Sequence, residues 1–145
     1  MKSLMLILLL SSLLIAPILA AGADSKTETN QNAVIENLVH GINSDNIGVR
    51  TSSAVVIKQV IDNALVKPED FSGSLVPLLK MLDSGTTEKE RIAAAVALYS
   101  IDSGIGIYGL RGSAKFDRSS KVRTISKNLY YTYHTIHNTT YFLDF

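Results

Sequence analysis

Cysteine and tryptophan are missing from this chain, proline occurs only three times, and 19% of the residues are charged. Without cysteine there is no disulfide staple, no thiolate nucleophile and no sulfur ligand for a metal, so stability has to come from packing. His134 and His137 stand three apart, but no Cys, Asp or Glu lies close enough in sequence to complete a metal site with them, and His40 is alone in an apolar stretch. No Ser, His and acid combination falls at a recognisable catalytic spacing. Glu88 and Glu90 are two apart, so they do not face one another on a helix. These absences exclude the common hydrolytic, redox and metal-dependent classes and lead to the expectation of a protein without enzymatic activity, cofactor or metal.

What the chain does have begins with an apolar start. Met1-Lys2 is followed by an almost unbroken apolar run over residues 4–15, then Pro17 and the small residues Ala21-Gly22-Ala23. This pattern reads as a secretory signal peptide, 1–23, cleaved before Asp24, and places the protein outside the cytoplasm, secreted or periplasmic. An uncleaved anchor is the alternative, although the run is shorter than the roughly 20 residues that span a bilayer. No later stretch is long and apolar enough to cross a membrane. Residues 24–32 are polar throughout and are expected to be a flexible leader.

The remainder, 33–145, reads as helical throughout. Val56 and Val60, with Ile57, Ile61 and Ala64, fall on adjoining faces of a helix expected over 47–63, after one over 32–43 and the turn Ser44-Asp45-Asn46. Pro68 suits a first helical turn. Pro77 fits either the first turn of a helix from Ser74 or a kink in a longer one from Glu69. Thr87-Glu88-Lys89-Glu90 is a capping box whose two side chains satisfy exposed amides reciprocally, and 92–98 is apolar all round, as in a helix sandwiched between others. A third pair is expected over 105–116 and 119–137, followed by the aromatic tail 138–145.

These pairs repeat. Val49-Arg50-Thr-Ser-Ser-Ala54, Glu90-Arg91-Ile-Ala-Ala-Ala95 and Val122-Arg123-Thr-Ile-Ser126 each open a second helix with arginine, at intervals of 41 and 32 residues. The middle copy, Leu75-Val-Pro-Leu-Leu-Lys-Met-Leu-Asp83 with Arg91-Ile-Ala-Ala-Ala-Val-Ala-Leu98, is the clearest. In these residues the chain resembles the HEAT family of helix-pair repeats, over about 32–137, and armadillo-like solenoids share the pattern. The third copy departs from it, with Lys127 where Ala54 and Ala95 stand. The resemblance implies an all-α fold, a short α-solenoid of three antiparallel helix pairs over about 33–64, 69–101 and 105–137, whose units stack because none can bury its apolar face alone. It also implies a non-catalytic scaffold that binds another protein, and a repeat ladder of Arg50, Arg91 and Arg123 with the turn acids Asp45, Asp83 and Asp117.

Gly104-Ile-Gly106-Ile-Tyr-Gly109 spells the dinucleotide-binding glycine motif, but that motif needs a preceding strand and an acid about 20 positions later. Here an alanine-rich helix precedes it and Asp117 is only eight residues beyond Gly109. The expectation is structural: Gly104 ends one helix, while Gly106, Gly109 and Gly112 permit close packing.

Charge is distributed unevenly. Residues 24–102 hold 7 basic and 11 acidic residues, net −4, against 6 and 2 in 103–145, net +4; with Lys2 these make the overall +1. The basic third unit, Arg111, Lys115, Arg118, Lys121 and Lys127, together with Tyr130 and Tyr133, is therefore the candidate partner-binding surface, since Tyr and Arg are favoured in binding hot spots. The expected partner is a protein. The alternative is an acidic polymer held by that unit; the small net charge and the export signal argue against nucleic acid. Asn138-Thr139-Thr140 is a glycosylation sequon.

Overall fold

The structure, a computed structural model, describes residues 30–140. The expected signal peptide, residues 24–29 of the leader and residues 141–145 of the aromatic tail lie outside the described residues. Every element described is helical, and no strand occurs among the described residues. In chain order these are α1 (30–42), α2 (Ile47–Asp62), a 3-10 segment Pro68–Ser74, α3 (Leu75–Ser84), α4 (Glu88–Ile101), α5 (Gly104–Phe116) and α6 (Ser120–Ile136). Helix α1 thus takes in residues 30–32, which were expected to be leader. None of these helices is long and apolar enough to cross a membrane.

Helices α2, α4 and α6 are capped in the same way. Asn46 accepts hydrogen bonds from the amides of Gly48 and Val49, Thr87 from that of Glu90 and Ser119 from that of Val122, so each helix starts on a short polar residue whose side chain satisfies an otherwise unpaired N–H. The capping box at Thr87 is only half formed: the Glu90 carboxylate accepts from the Thr86 amide at 2.8 Å, one residue earlier than the box places it. Glu90 turns that way because its other oxygen is held by Arg50 from the preceding unit.

Pro68 opens the 3-10 segment as expected, Asp70 accepts from the Lys67 amide, and Phe71 anchors the segment in the core. A new helix then begins at Leu75, which puts Pro77 in its first turn, where a missing N–H breaks no intrahelical bond.

Within the compact unit Ile35–Phe145, α4 is central and packs against α2, α3, α5 and α6. Its run of alanines, Ala93, Ala94, Ala95 and Ala97, is buried on all sides, and small side chains let several helices approach one axis. Ile57, Phe71, Leu78, Leu98 and Leu110 fill the spaces between these axes and are fully buried.

Gly104 opens α5; it does not end α4. Asp102 takes that end in the left-handed conformation, φ 57°, which Asp tolerates because its short polar chain bonds locally. The chain also turns left-handed just after α2, at Ala64 with φ 53°, where the Leu65 amide closes the helix on the Val60 carbonyl at 2.9 Å. Alanine gains nothing there to offset the Cβ clash. Ala64→Gly is expected to stabilise the fold by about 1 kcal/mol, read in thermal unfolding as a rise of about 4 °C. An unchanged or lowered midpoint would show that the unfolded-chain entropy of glycine outweighs the relieved strain.

Candidate functional site

Three arginines occupy the same place in three helices. Arg50, Arg91 and Arg123 are each the fourth residue of α2, α4 and α6, four positions after the capping Asn46, Thr87 and Ser119. Each donates Nη1 to the backbone carbonyl six residues earlier: Arg50 to Ser44 at 2.7 Å, Arg91 to Gly85 at 2.8 Å and Arg123 to Asp117 at 2.7 Å. The bond ties each guanidinium across its own turn and leaves the Nε edge pointing away.

In the first two arginines that edge reaches the start of the next arginine-bearing helix, α4 for Arg50 and the turn into α6 for Arg91. Arg50 places Nε and Nη2 on Glu90 Oε1, at 2.9 and 2.8 Å. Arg91 holds Asp117 with both oxygens engaged, Nε to Oδ2 at 2.8 Å and Nη2 to Oδ1 at 3.1 Å, the paired geometry in which Arg binds carboxylate most strongly. Arg91 is only 2% exposed, and Asp117 also accepts from the Ser119 amide at 2.7 Å. Of the turn acids expected to serve this ladder, Asp117 does so; Asp45 and Asp83 do not, and Glu90 supplies the first carboxylate. Asp45 sits in the turn before α2 and Asp83 in the last turn of α3, and both line grooves, whereas Glu90 lies in the first turn of α4 facing α2.

Above each of these two ion pairs the surface opens into a groove. One, of about 310 Å³, lies between the turn after α1 and α3, over Arg50 and Glu90, and is edged by Asp45 and Lys80. The other, of about 480 Å³, runs between α3 and α5 over Arg91 and Asp117. Leu79 and Leu82 on one side and Tyr108 and Phe116 on the other give its walls their apolar part, and Asp83, Ser113 and Arg118 line it as well. The two helices touch at Gly109, where an added Cβ would come within 2.3 Å of Leu79 Cδ2. One turn later they part: a Cβ on Gly112 would meet nothing within 4 Å. Tyr108, Gly112 and Phe116 follow one another at helical spacing, so a bare notch lies between two rings that are 72% and 84% exposed. Gly106 and Gly109 thus permit close packing, while Gly112 leaves space.

The residues singled out in the third unit do not form one surface. Tyr130 is a correction: it is 5% exposed and belongs to the core, because the inward face of α6 needs large side chains to reach α4. Arg118 is exposed, and its Nη2 is tied to the fold by donating to the carbonyls of Gly85 at 2.9 Å and Thr86 at 3.1 Å. Arg111 is half-buried on α5, with a buried Nε that has no partner among the described residues. Tyr133 is half-buried and packs its ring 4.2 Å from that of His137, which in turn bonds Asp102 at 3.2 Å. Lys115 is half-buried on α5, Lys121 is exposed on α6, and Lys127 lies 5.7 Å from the Tyr131 ring.

Comparison of the chain with protein-family models, with curated proteins and with solved structures finds no match. The site therefore rests on its own geometry. Two of its parts were overlooked in the sequence. Glu90 was absorbed into a capping box, although a second acid beside a repeated arginine was a hint of pairing across units. Tyr108 and Phe116 were overshadowed by the glycines around them, although the spacing of Tyr108, Gly112 and Phe116 puts all three on one helical face.

Proposed function

We propose that this protein is an exported, non-catalytic interaction module, built as a HEAT-like stack of three helix pairs, which receives an apolar segment of a partner protein in the groove between α3 and α5. One observation carries the reading: two aromatic side chains, Tyr108 and Phe116, stand largely in solvent on either side of a glycine notch over a groove whose walls are partly apolar, through Leu79 and Leu82. Exposed apolar surface gathered around a concavity marks a contact site more often than a free surface, and aromatic anchors supply much of the binding energy at such sites. A helix laid along the groove would present side chains at every third or fourth position to the notch. The repeated arginines support the stacked-pair architecture, since each of the first two joins its own turn to the next pair. Export is supported by residues 1–23 alone.

The test is affinity capture from the extracytoplasmic fraction of the protein's own host, with the bait's first residue determined there. The expected N-terminus is Asp24; a bait that retains Met1 or remains in the cytoplasm would end the export reading. A partner held by the wild type and by Lys121→Gln should be lost at least tenfold with Tyr108→Ser/Phe116→Ser, changes at exposed positions that leave the core intact. Equal retention by all three proteins would rule out the groove as the site.

A further inference from the structure

The ladder has an open end. Arg123 is held like Arg50 and Arg91, by Nη1 on the carbonyl six residues before it, yet among the described residues nothing bonds its Nε or Nη2. These are the atoms that grip Glu90 and Asp117 in the two complete pairs. A guanidinium fixed on one side and open on the other is preset for a carboxylate, because little side-chain freedom remains to be lost when one arrives.

We propose that the Nε and Nη2 edge of Arg123 binds a carboxylate side chain of a partner protein, an Asp or Glu of an acidic segment, in the place that the next unit's acid fills in the complete pairs. The inference goes beyond the groove, since Arg123 is on α6 and does not line it. Charge selects the partner. Residues 103–145 carry net +4. Of the two acids in that stretch, Asp117 and Asp144, the first has its carboxylate taken by Arg91 and the Ser119 amide. Lys127 follows Arg123 by one turn on the same helical face and adds to the local positive charge, whereas Lys121, two residues before Arg123, is exposed on another face of α6.

A second copy of the chain fits this site poorly. Glu90 stands one residue before its arginine and Asp117 six before; the corresponding residues ahead of Arg50 are Val49 and Ser44, neither of which carries a carboxylate. A copy continuing the stack would bring no acid to Arg123 in either register.

The experiment is a titration of the purified, 15N-labelled protein with a capped hexaglutamate peptide at low salt, followed through the arginine Nε–H signals. The Arg123 signal should shift while those of Arg50 and Arg91, already engaged, stay in place. Arg123→Lys keeps the charge but loses the paired geometry and should weaken the peptide about tenfold, whereas Lys121→Gln, a solvated charge, should weaken it about twofold. No shift at Arg123, or equal weakening by the two substitutions, would overturn the proposal in favour of diffuse charge attraction. A shift that grows with protein concentration in the absence of peptide, together with larger species in sedimentation, would overturn it in favour of a second copy. The signal shift is read on the wild type, so that arm of the test does not depend on how well a variant folds.

Discussion

Arg91→Ala is expected to cost about 3–5 kcal/mol of stability, a large part of what a domain of this size possesses. Arg91 and Asp117 have side-chain exposures of 2% and 4%, so neither retains water that could replace the other. With the guanidinium gone, the Asp117 carboxylate keeps only the Ser119 amide and remains a buried charge without a counterion. The Gly85 carbonyl loses one of its two donors and retains Arg118. Asp117→Ala should cost a similar amount for the mirror reason, and it also removes the side-chain bond that leads into α6. The double variant should be less damaged than the two single losses combined, by about 1–3 kcal/mol, because once one partner is absent removing the other eliminates an unpaired charge. Urea unfolding of the four proteins measures all three quantities. A loss below about 1 kcal/mol for Arg91→Ala would mean that the pair is hydrated in solution and behaves as a surface ion pair.

The second large effect is expected at Leu98, where substitution by alanine should cost roughly 2–5 kcal/mol. Leu98 is fully buried on α4, the helix that packs against α2, α3, α5 and α6, and it lies against the backbone of α5 at Gly106. A Cβ on Gly106 would lie 3.4 Å from Leu98 Cδ2, so α5 offers no side chain there that could swing into the vacated space. The void therefore persists, and its lining loses dispersion contacts as well as the transfer energy of the missing methyls. Val76→Ala is the control: Val76 is 75% exposed on α3 and its truncation should stay within about 0.5 kcal/mol. Comparable losses at both positions would place the core elsewhere than between α4 and α5.

Most helices were legible in the sequence, for a local reason. Asn46, Thr87 and Ser119 cap the helices they precede, Pro68 and Pro77 sit where a missing amide does least harm, and the apolar spacing over 47–63 and 92–98 marked buried faces. Signals of this kind act within four residues, so they survive whatever the rest of the chain does. Errors arose where two local readings competed. Gly104 looked like a helix end, but Asp102 two residues earlier could adopt the left-handed turn and let the glycine start the next helix. Tyr130 looked like surface because its residue type favours binding sites, whereas the orientation of α6 buries it; Arg118 is at the surface, but the nearness of the Gly85 turn gives its Nη2 two carbonyls of the fold.

The sequence by itself determined that the chain is helical, where its helices begin and end to within a few residues, and that arginine recurs at one place in three of them, because capping, periodicity and proline restriction are properties of neighbouring residues. Only the tertiary structure decided that Glu90 and not Asp83 answers Arg50, that Arg123 has no carboxylate among the described residues, and that α3 stands clear of α5 at Gly112, so that Tyr108 and Phe116 stay exposed on either side of an open notch. Those facts depend on how far apart packed helices stand. The packing distance between α3 and α5 is set jointly by the Leu79 side chain and the missing one at Gly109, which lie 30 residues apart in the chain and meet only once it has folded.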